Sequence, residues 1–163
     1  MKRLSQKHII RTLSRRGVSI HPLADVSSES IGSGTKVWQF ATVMKGALIG
    51  ENCNIGAGAF VESGASIGSN TTVKNQSLIW NGVTIGSNVF IGPAVIFTNA
   101  KYPKPGRDSS ALSRTVVEDD CVLGAGAIIL PGLTLGSGTF VPAGAVVTRS
   151  TEPGEKWPNS LRS

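Results

Sequence analysis

Two imidazoles, His8 and His21, are all that the 163 residues offer for acid–base work near neutral pH. His21 precedes Pro22 and reads as a structural or capping residue rather than a base. Deprotonating an alcohol, whose pKa lies far above 7, calls for a positioned base, and the chain supplies no obvious one. Zinc-dependent hydration calls for three imidazoles, which two histidines cannot provide. Cys53 and Cys121 stand 68 residues apart without CxxC or histidine spacing, so they read as small core residues rather than as a metal site or a disulfide. Arg107 and Arg114 fall in one glycine- and proline-containing stretch, where guanidinium groups can pair with a diphosphate. Trp80 can stack on a base or sugar, or pack against a neighbouring chain.

The elements that position these groups are legible in the composition. Twenty Gly and 8 Pro stand beside only 6% aromatic and 16% charged residues, while 40% of the chain is hydrophobic. That is too apolar for disorder and too poor in large side chains for a wide core. Helical bundles and broad α/β sheets are disfavoured. The net charge of +6 would suggest nucleic acid or an anionic membrane, but residues 1–19 hold six cations (Lys2, Arg3, Lys7, Arg11, Arg15, Arg16) and no acid. Residues 20–163 hold ten of each sign, so the body is neutral and no nucleic-acid partner is expected. No apolar run reaches the roughly 18 residues of a membrane span, and the arm lacks the core of a secretory signal. A soluble, cytoplasmic protein is expected.

Internal repetition decides the fold class. Counting in sixes from Ile31 gives Ile31, Val37, Val43, Ile49, Ile55, Val61, Ile67, Val73, Ile79, Ile85, Ile91 and Phe97 without a miss, and a second block runs Val117, Leu123, Ile129, Leu135, Val141, Val147. Four places after most of these stands a small or β-branched residue such as Thr35, Ala41, Cys53, Ala59, Thr71 or Ala127. A period of six fits neither a helix at 3.6 nor a hairpin strand at 2. It fits a short strand of about four residues followed by a corner, three of which close a triangular coil of 18. Recurrence of Ile31-Gly32, Ile49-Gly50, Ile67-Gly68 and Ile85-Gly86 shows that longer period directly. The expected architecture is all-β, a parallel β-helix over 20–149 of about six coils, roughly 30 Å tall at 4.8 Å per coil. Val26 to Ile31 is one residue short, which makes the first coil ragged. Between the two blocks 14 residues, 103–116, are extruded as a loop, and a loop of that length on a regular scaffold points to function. The arm 1–19, helical or frayed, and the tail 150–163 fall at the open ends, which need caps. For the arm, packing as a cap is favoured over membrane contact.

The hexads resemble the [Ile/Val/Leu]-Gly-x-x-small-x repeats of the left-handed β-helix acyltransferases. Within them His21-Pro22-Leu23-Ala24-Asp25-Val26, Lys36-Val37-Trp38-Gln39-Phe40, Phe90-Ile91-Gly92-Pro93, Val95-Ile96-Phe97-Thr98-Asn99 and Ala143-Gly144-Ala145-Val146-Val147-Thr148 are most similar to the N-acetyltransferases of nucleotide-linked 3-amino sugars. The resemblance implies left-handed coiling, a homotrimer with active sites between neighbouring β-helices, acetyl-CoA as cosubstrate and no metal. It also implies reaction-centre roles for Asn75, Gln76 and Asn99. Gln76 stands where Asn is usual; Gln39 and Thr42 replace histidines, and Trp157-Pro158-Asn159-Ser160 replaces the usual ending. Glu62 matches a family Asp that faces the sugar, and Gln39, Trp80, Arg107 and Arg114 complete the substrate candidates. For the pantetheine arm the candidates are Gly124, Ala125, Gly126, Pro131, Ala143 and Gly144, with Arg149 and Lys156 for the phosphates.

Chemistry and resemblance converge on an amine acceptor. An amine with a pKa near 8 is already neutral in a substantial fraction at physiological pH and can attack directly, which removes the need for a histidine base. The expected activity is acetyl-CoA-dependent N-acetylation of a UDP- or dTDP-linked amino sugar for bacterial surface polysaccharide. O-acetylation of a sugar or small molecule, and a non-catalytic β-helix scaffold or decayed enzyme, are the alternatives.

Overall fold

The computed structural model describes residues 2–101 and 113–158. It opens with helix α1 (Lys2–Arg15), whose Ile9 and Leu13, four apart, face the body. The helix stops at Gly17, which takes a φ of 80°; the Val18 N–H reaches back to the Leu13 carbonyl and the Gly17 N–H to that of Ser14. These paired bonds satisfy carbonyls that the last turn would otherwise leave open, and Leu13 and Val18 close over them, both buried.

Nineteen short strands follow among the described residues and form three parallel walls. Wall 1 stacks β1 (Ser19–Ile20), β3 (Lys36–Val37), β6 (Asn54–Ile55), β9 (Thr72–Val73), β12 (Phe90–Ile91), β15 (Val122–Leu123) and β18 (Phe140–Val141). Wall 2 stacks β2 (Asp25–Val26), β4 (Thr42–Val43), β7 (Phe60–Val61), β10 (Leu78–Ile79), β13 (Ile96–Phe97), β16 (Ile128–Ile129) and β19 (Val146–Val147). Wall 3 stacks β5 (Leu48–Ile49), β8 (Ser66–Ile67), β11 (Val83–Ile85), β14 (Thr115–Val117) and β17 (Thr134–Leu135). Most strands are two residues long rather than four, the first pointing outward and the second buried. In the two-residue strands each buried residue is a hexad residue, aliphatic except for Phe97.

Walls 1 and 2 carry seven strands each, so the solenoid has about seven turns, one more than the hexads suggest. The ragged first coil accounts for the extra turn. Despite the missing residue its strands pair, Ser19 with Lys36 and Asp25 with Thr42, and Ile31 bridges to Ile49 on the third side. Coiling also persists into the tail, where Thr151 bridges to Leu135 and Lys156 to Phe140. The arm likewise gives way to β1 at Ser19.

The core is a column one residue wide on each wall. Buried polar residues at the small position are hydrogen-bonded, and the hydroxyls of Thr35, Thr71 and Ser77 donate to a carbonyl of the adjoining turn. Thr35 Oγ1 reaches Gly50 O at 2.9 Å, Thr71 Oγ1 reaches Gly86 O at 2.9 Å, and Ser77 Oγ reaches Gly92 O at 2.8 Å. Cys53 Sγ does the same to Gly68 O at 3.1 Å. Burial pushes both Cys53 and Cys121 thiols above the ordinary range, which keeps them as unreactive fillers.

The loop's end is corrected by two residues. Thr115 and Val116, counted in the extruded segment by hexad arithmetic, stand in β14 opposite Val83 and Thr84. The β-pairing extends inward from the aliphatic Val117, which alone marked the hexad. At the loop base the Ser113 N–H donates to the Asn99 carbonyl at 3.1 Å. Residues 102–112, Arg107 among them, lie outside the described residues.

Candidate functional site

Three walls meet at three edges, and each edge is a column of turns with its own chemistry. The edge between walls 1 and 2 stacks Leu23, Gln39, Ala57, Asn75, Pro93, Ala125 and Ala143 at the middle of successive turns. Bonds such as Gly58 N–H to Gln39 O and Gln76 N–H to Ala57 O tie the column together. Here it is called the amide edge. The edge between walls 2 and 3 stacks Lys45, Ser63 and Asn81, releases the loop after Asn99, and resumes with Pro131 and Arg149. The edge between walls 3 and 1 stacks Ser33, Glu51, Ser69, Ser87, Asp119, Ser137 and Pro153; with Glu118, Asp120 and Glu152 beside them, it collects acids and no Lys or Arg.

The sequence-predicted residues avoid the acidic edge. Gln39, Asn75, Gln76, Gly124, Ala125, Gly126, Ala143 and Gly144 share the amide edge. Asn99, Glu62, Trp80, Arg114, Pro131 and Arg149 share the loop edge. An extended strand from Gln76 to Trp80 spans roughly 13 Å, so the two groups are four times too far apart for one hydrogen-bonded constellation on a single chain.

On the amide edge Asn75 Oδ1 accepts the Ala57 N–H at 3.2 Å, which fixes its carboxamide over the turn below. Gln76 holds φ at 62°, a left-handed conformation that a side chain with Cβ adopts at a cost of about 1 kcal/mol. Phe40 and Ala94, on the same edge, do likewise at 61° and 54°. Farther up, Gly124 is required by close packing. A Cβ there would meet the backbone of Pro142 and Ala143 in the next turn. The residue stacked over Ala125 is Ala143, whose methyl accepts no bond, and among the described residues the Ala125 N–H makes none. The upper turns thus differ from the Asn75 turn by leaving backbone N–H groups open toward solvent.

Beside this edge lies a groove of about 300 Å³ lined by Trp38, Gln39, Asn54, Gly56, Ala57, Lys74 and Asn75. Trp38 is 44% exposed, and its indole N–H donates to Asn54 Oδ1 at 2.8 Å. Trp38, Asn54 and Lys74 were not among the predicted site residues. Their signal lies in their common phase, since wall 1 and the turn after it place them next to Gln39 and Asn75.

On the loop edge Glu62 caps the Asn81 N–H through Oε2 at 2.8 Å, and Trp80 lies against Phe60 with ring centroids 5.3 Å apart. Arg114 is exposed just after the loop. Arg149 has another task than phosphate binding in this structure. Its guanidinium bonds both oxygens of Glu155, at 2.7 and 3.3 Å, and lies 4.9 Å from the Trp157 ring, fastening the tail over the last coil. Lys156 is exposed on the strand-like bridge to Phe140. Neither histidine reaches the reaction-centre candidates. His21 Nδ1 accepts the Leu23 N–H at 3.2 Å, three turns or roughly 14 Å below Asn75, and His8 is exposed on α1. Among the described residues no cluster of three or more His, Cys, Asp or Glu is arranged to hold a metal ion.

A family model described as bacterial transferase hexapeptide (six repeats) matches residues 30–63 and 114–149. Over 130 residues, 80% of this chain and 68% of the relative, the sequence is 46% identical to the dTDP-3-amino-3,6-dideoxy-alpha-D-galactopyranose 3-N-acetyltransferase of Aneurinibacillus thermoaerophilus. The chain belongs to the bacterial hexapeptide transferase family. Solved structures share its fold at lower identity. The acetyltransferase domain of PglB from Neisseria gonorrhoeae, in complex with acetyl coenzyme A, superposes with a TM-score of 0.54 at 21% identity, covering 92% of this chain and 62% of that one. The UDP-N-acetylglucosamine acyltransferase from Campylobacter jejuni superposes at 0.59 and 15% identity, covering 83% and 69%. The two blocks matched by the hexapeptide transferase model flank the loop, whose base carries Asn99. No helix among the described residues is long and apolar enough to cross a membrane.

Proposed function

We propose that this hexapeptide transferase moves the acetyl group of acetyl-CoA onto the amino group of a UDP- or dTDP-linked amino sugar, for bacterial surface polysaccharide. The observation that carries the reading is the distance of both imidazoles from Asn75 and Gln76, His21 being three turns below them on the same edge and His8 on α1, in a chain 46% identical to a dTDP-amino-sugar N-acetyltransferase. Such a site suits an acceptor that needs no base. A neutral amine attacks the thioester carbon, the C–S bond breaks as the tetrahedral intermediate collapses, and the ammonium proton passes to solvent or to the departing thiolate. The protein's contribution is position and an oxyanion donor.

Asn75 and Gln76 orient the amine, and Asn99 the thioester. Gln39, Glu62, Trp80, Arg107 and Arg114 surround the nucleotide sugar, and the groove adds Trp38 and Lys74. The pantetheine arm follows Gly124, Ala125, Gly126, Ala143 and Gly144, where the open Ala125 N–H suits a pantetheine carbonyl; Pro131 and Lys156 lie at its margins. Acids lining the third edge repel CoA phosphates, which favours this course.

Division of the candidates between two edges favours a homotrimer. With wall 2 turned toward a threefold axis, the amide edge of one copy adjoins the loop edge of the next. The outward residues of that wall, Phe60, Leu78, Ile96, Ile128 and Val146, form an apolar ladder suited to such contact. Cytoplasmic residence accords with the nucleotide-linked acceptor and with thiols kept free.

The test is turnover with a panel of nucleotide amino sugars and their hydroxyl counterparts. Amine acceptors are expected to react at least roughly 100-fold faster, the size of a general-base contribution that the site lacks. The reverse preference overturns N-acetylation in favour of O-acetylation. Absence of acetyl-CoA binding at millimolar concentration by calorimetry leaves only the scaffold reading.

A further inference from the structure

Helix α1 lies across the open end of the first coil. Gln6, Ile9, Leu13 and Arg16 face the solenoid: Gln6 bonds Asp25 Oδ1 at 2.8 Å, Ile9 and Leu13 join the core, and Arg16 bonds the Glu29 carbonyl at 3.0 Å. At 100° per residue, Lys7, Arg11 and Arg15 fall on the opposite side of the helix, one turn apart. All three are exposed, and none makes a hydrogen bond or ion pair among the described residues. Like charges four apart repel one another, and cations in the first turn oppose the helix dipole. A cap chosen only for stability would alternate charge. This one has no acid anywhere in residues 1–19, whereas the body is balanced.

We propose that the Lys7–Arg11–Arg15 ridge seats this end of the solenoid on an anionic phospholipid bilayer. The cations line the outer face of a helix that covers the prism's end, so they present a flat array rather than a groove. The side chains between them, His8, Thr12 and Ser14, include no Phe, Tyr or Trp, the large rings that serve best to stack on bases. A planar anionic surface matches such an array, and bilayer attraction grows by roughly tenfold or less for each cation brought near it. In the homotrimer proposed above, parallel axes place three helices at one end, which multiplies the attraction. That clause rests on the trimer; the ridge itself does not.

Co-sedimentation of the full chain with vesicles tests this, using phosphatidylcholine alone and phosphatidylcholine with about one third phosphatidylglycerol. Binding is expected only to the second, and it is expected to reverse in about 0.5 M salt. The variant K7Q/R11Q/R15Q, built from good helix formers, is expected to lose about 100-fold in vesicle affinity while acetylating a soluble amino sugar at the wild-type rate. Equal partition to both vesicles, no binding to either, or undiminished binding by the variant overturns the proposal. Displacement from the vesicles by a lower concentration of duplex DNA overturns it in favour of nucleic acid. Because turnover is measured without vesicles, failure here leaves the N-acetyltransferase reading standing, and failure of that reading leaves the vesicle result standing.

Discussion

The acidic edge and the amide edge are built from the same 18-residue coil, yet they resolve the same backbone problem differently. Each turn ends in a left-handed residue. On the acidic edge that residue is always Gly, Asn or Asp: Gly34, Asn52, Asn70, Asn88, Asp120, Gly138 and Gly154. These types take positive φ at least cost. On the amide edge the corresponding positions include Phe40, Gln76 and Ala94. On the acidic edge Ser69 Oγ caps Glu51 N at 3.1 Å, Asp119 Oδ1 caps Ser87 N at 2.7 Å and Glu118 Oε2 caps Ser137 N at 2.8 Å. Caps are partial on both edges: Asn75 Oδ1 caps Ala57 N on the amide edge, while among the described residues Ala125 there and Ser33, Ser69 and Asp119 on the acidic edge donate no such bond. The two edges thus differ in backbone strain rather than in open donors, and strain is the feature retained where a ligand would bind.

The most severe test of that contrast exchanges side chains on one turn. Asn75→Ala is expected to lower kcat by about 100- to 1000-fold, while Ser69→Ala, at the acidic edge of the same turn, stays within about twofold of wild type because it removes a scaffold bond only. Equal losses would erase the distinction between edges. Close packing, by contrast, is shared by both. Gly68→Ala and Gly124→Ala each drive a Cβ into the backbone of the next turn, and each is expected to cost about 1–3 kcal/mol in chemical denaturation. Backbone strain gives a smaller effect of opposite sign on the two edges. Asn70→Ala should destabilise by about 1 kcal/mol, and Ala94→Gly should stabilise by about 0.5 kcal/mol, the relief of a left-handed alanine less the entropy of glycine. The smallest effect concerns the tail. Arg149 holds the Glu155 carboxyl below the usual carboxylate range by hydrogen bonding and charge. The pair therefore contributes above about pH 4.3 and fades as pH falls through the lowered value. Glu155→Gln should lower Tm slightly at pH 7 and not at all in strong acid.

Most of the architecture was legible because a hexad aliphatic is buried in every turn, from Val37 to Val147. The division of the site was present in the same count, though less visibly. Residues 39, 57, 75 and 93 share one phase of 18, as do 45, 63, 81 and 99, so Asn75 and Asn99 belong to different edges. Grouping them by distance along the chain hides this, as it hides the place of Pro131 beside the loop. Trp38 and Lys74 flank a groove because their phase adjoins that of Asn75, a relation that exists only once walls are closed. Arg149, a candidate for the CoA phosphates, also pairs with Glu155. Its pairing with Glu155 depends on bridges at Thr151 and Lys156, which continue the coil without an aliphatic to announce it.

Register across the loop has a kinetic corollary. Neighbouring turns pair residues 18 apart along most of the solenoid, 17 apart in the first coil and 16 in the tail, but 32 apart on all three walls where the coil passes the loop, as where Ile85 meets Val117. Closing the longer segment costs about 0.5 kcal/mol more in chain entropy, and doubling its length would add only about 0.6 kcal/mol. The stack can therefore zip from either block, hesitate briefly at one joint, and carry almost any length of loop there. Chemistry at that edge is free to diversify while the ladder beside it stays the same.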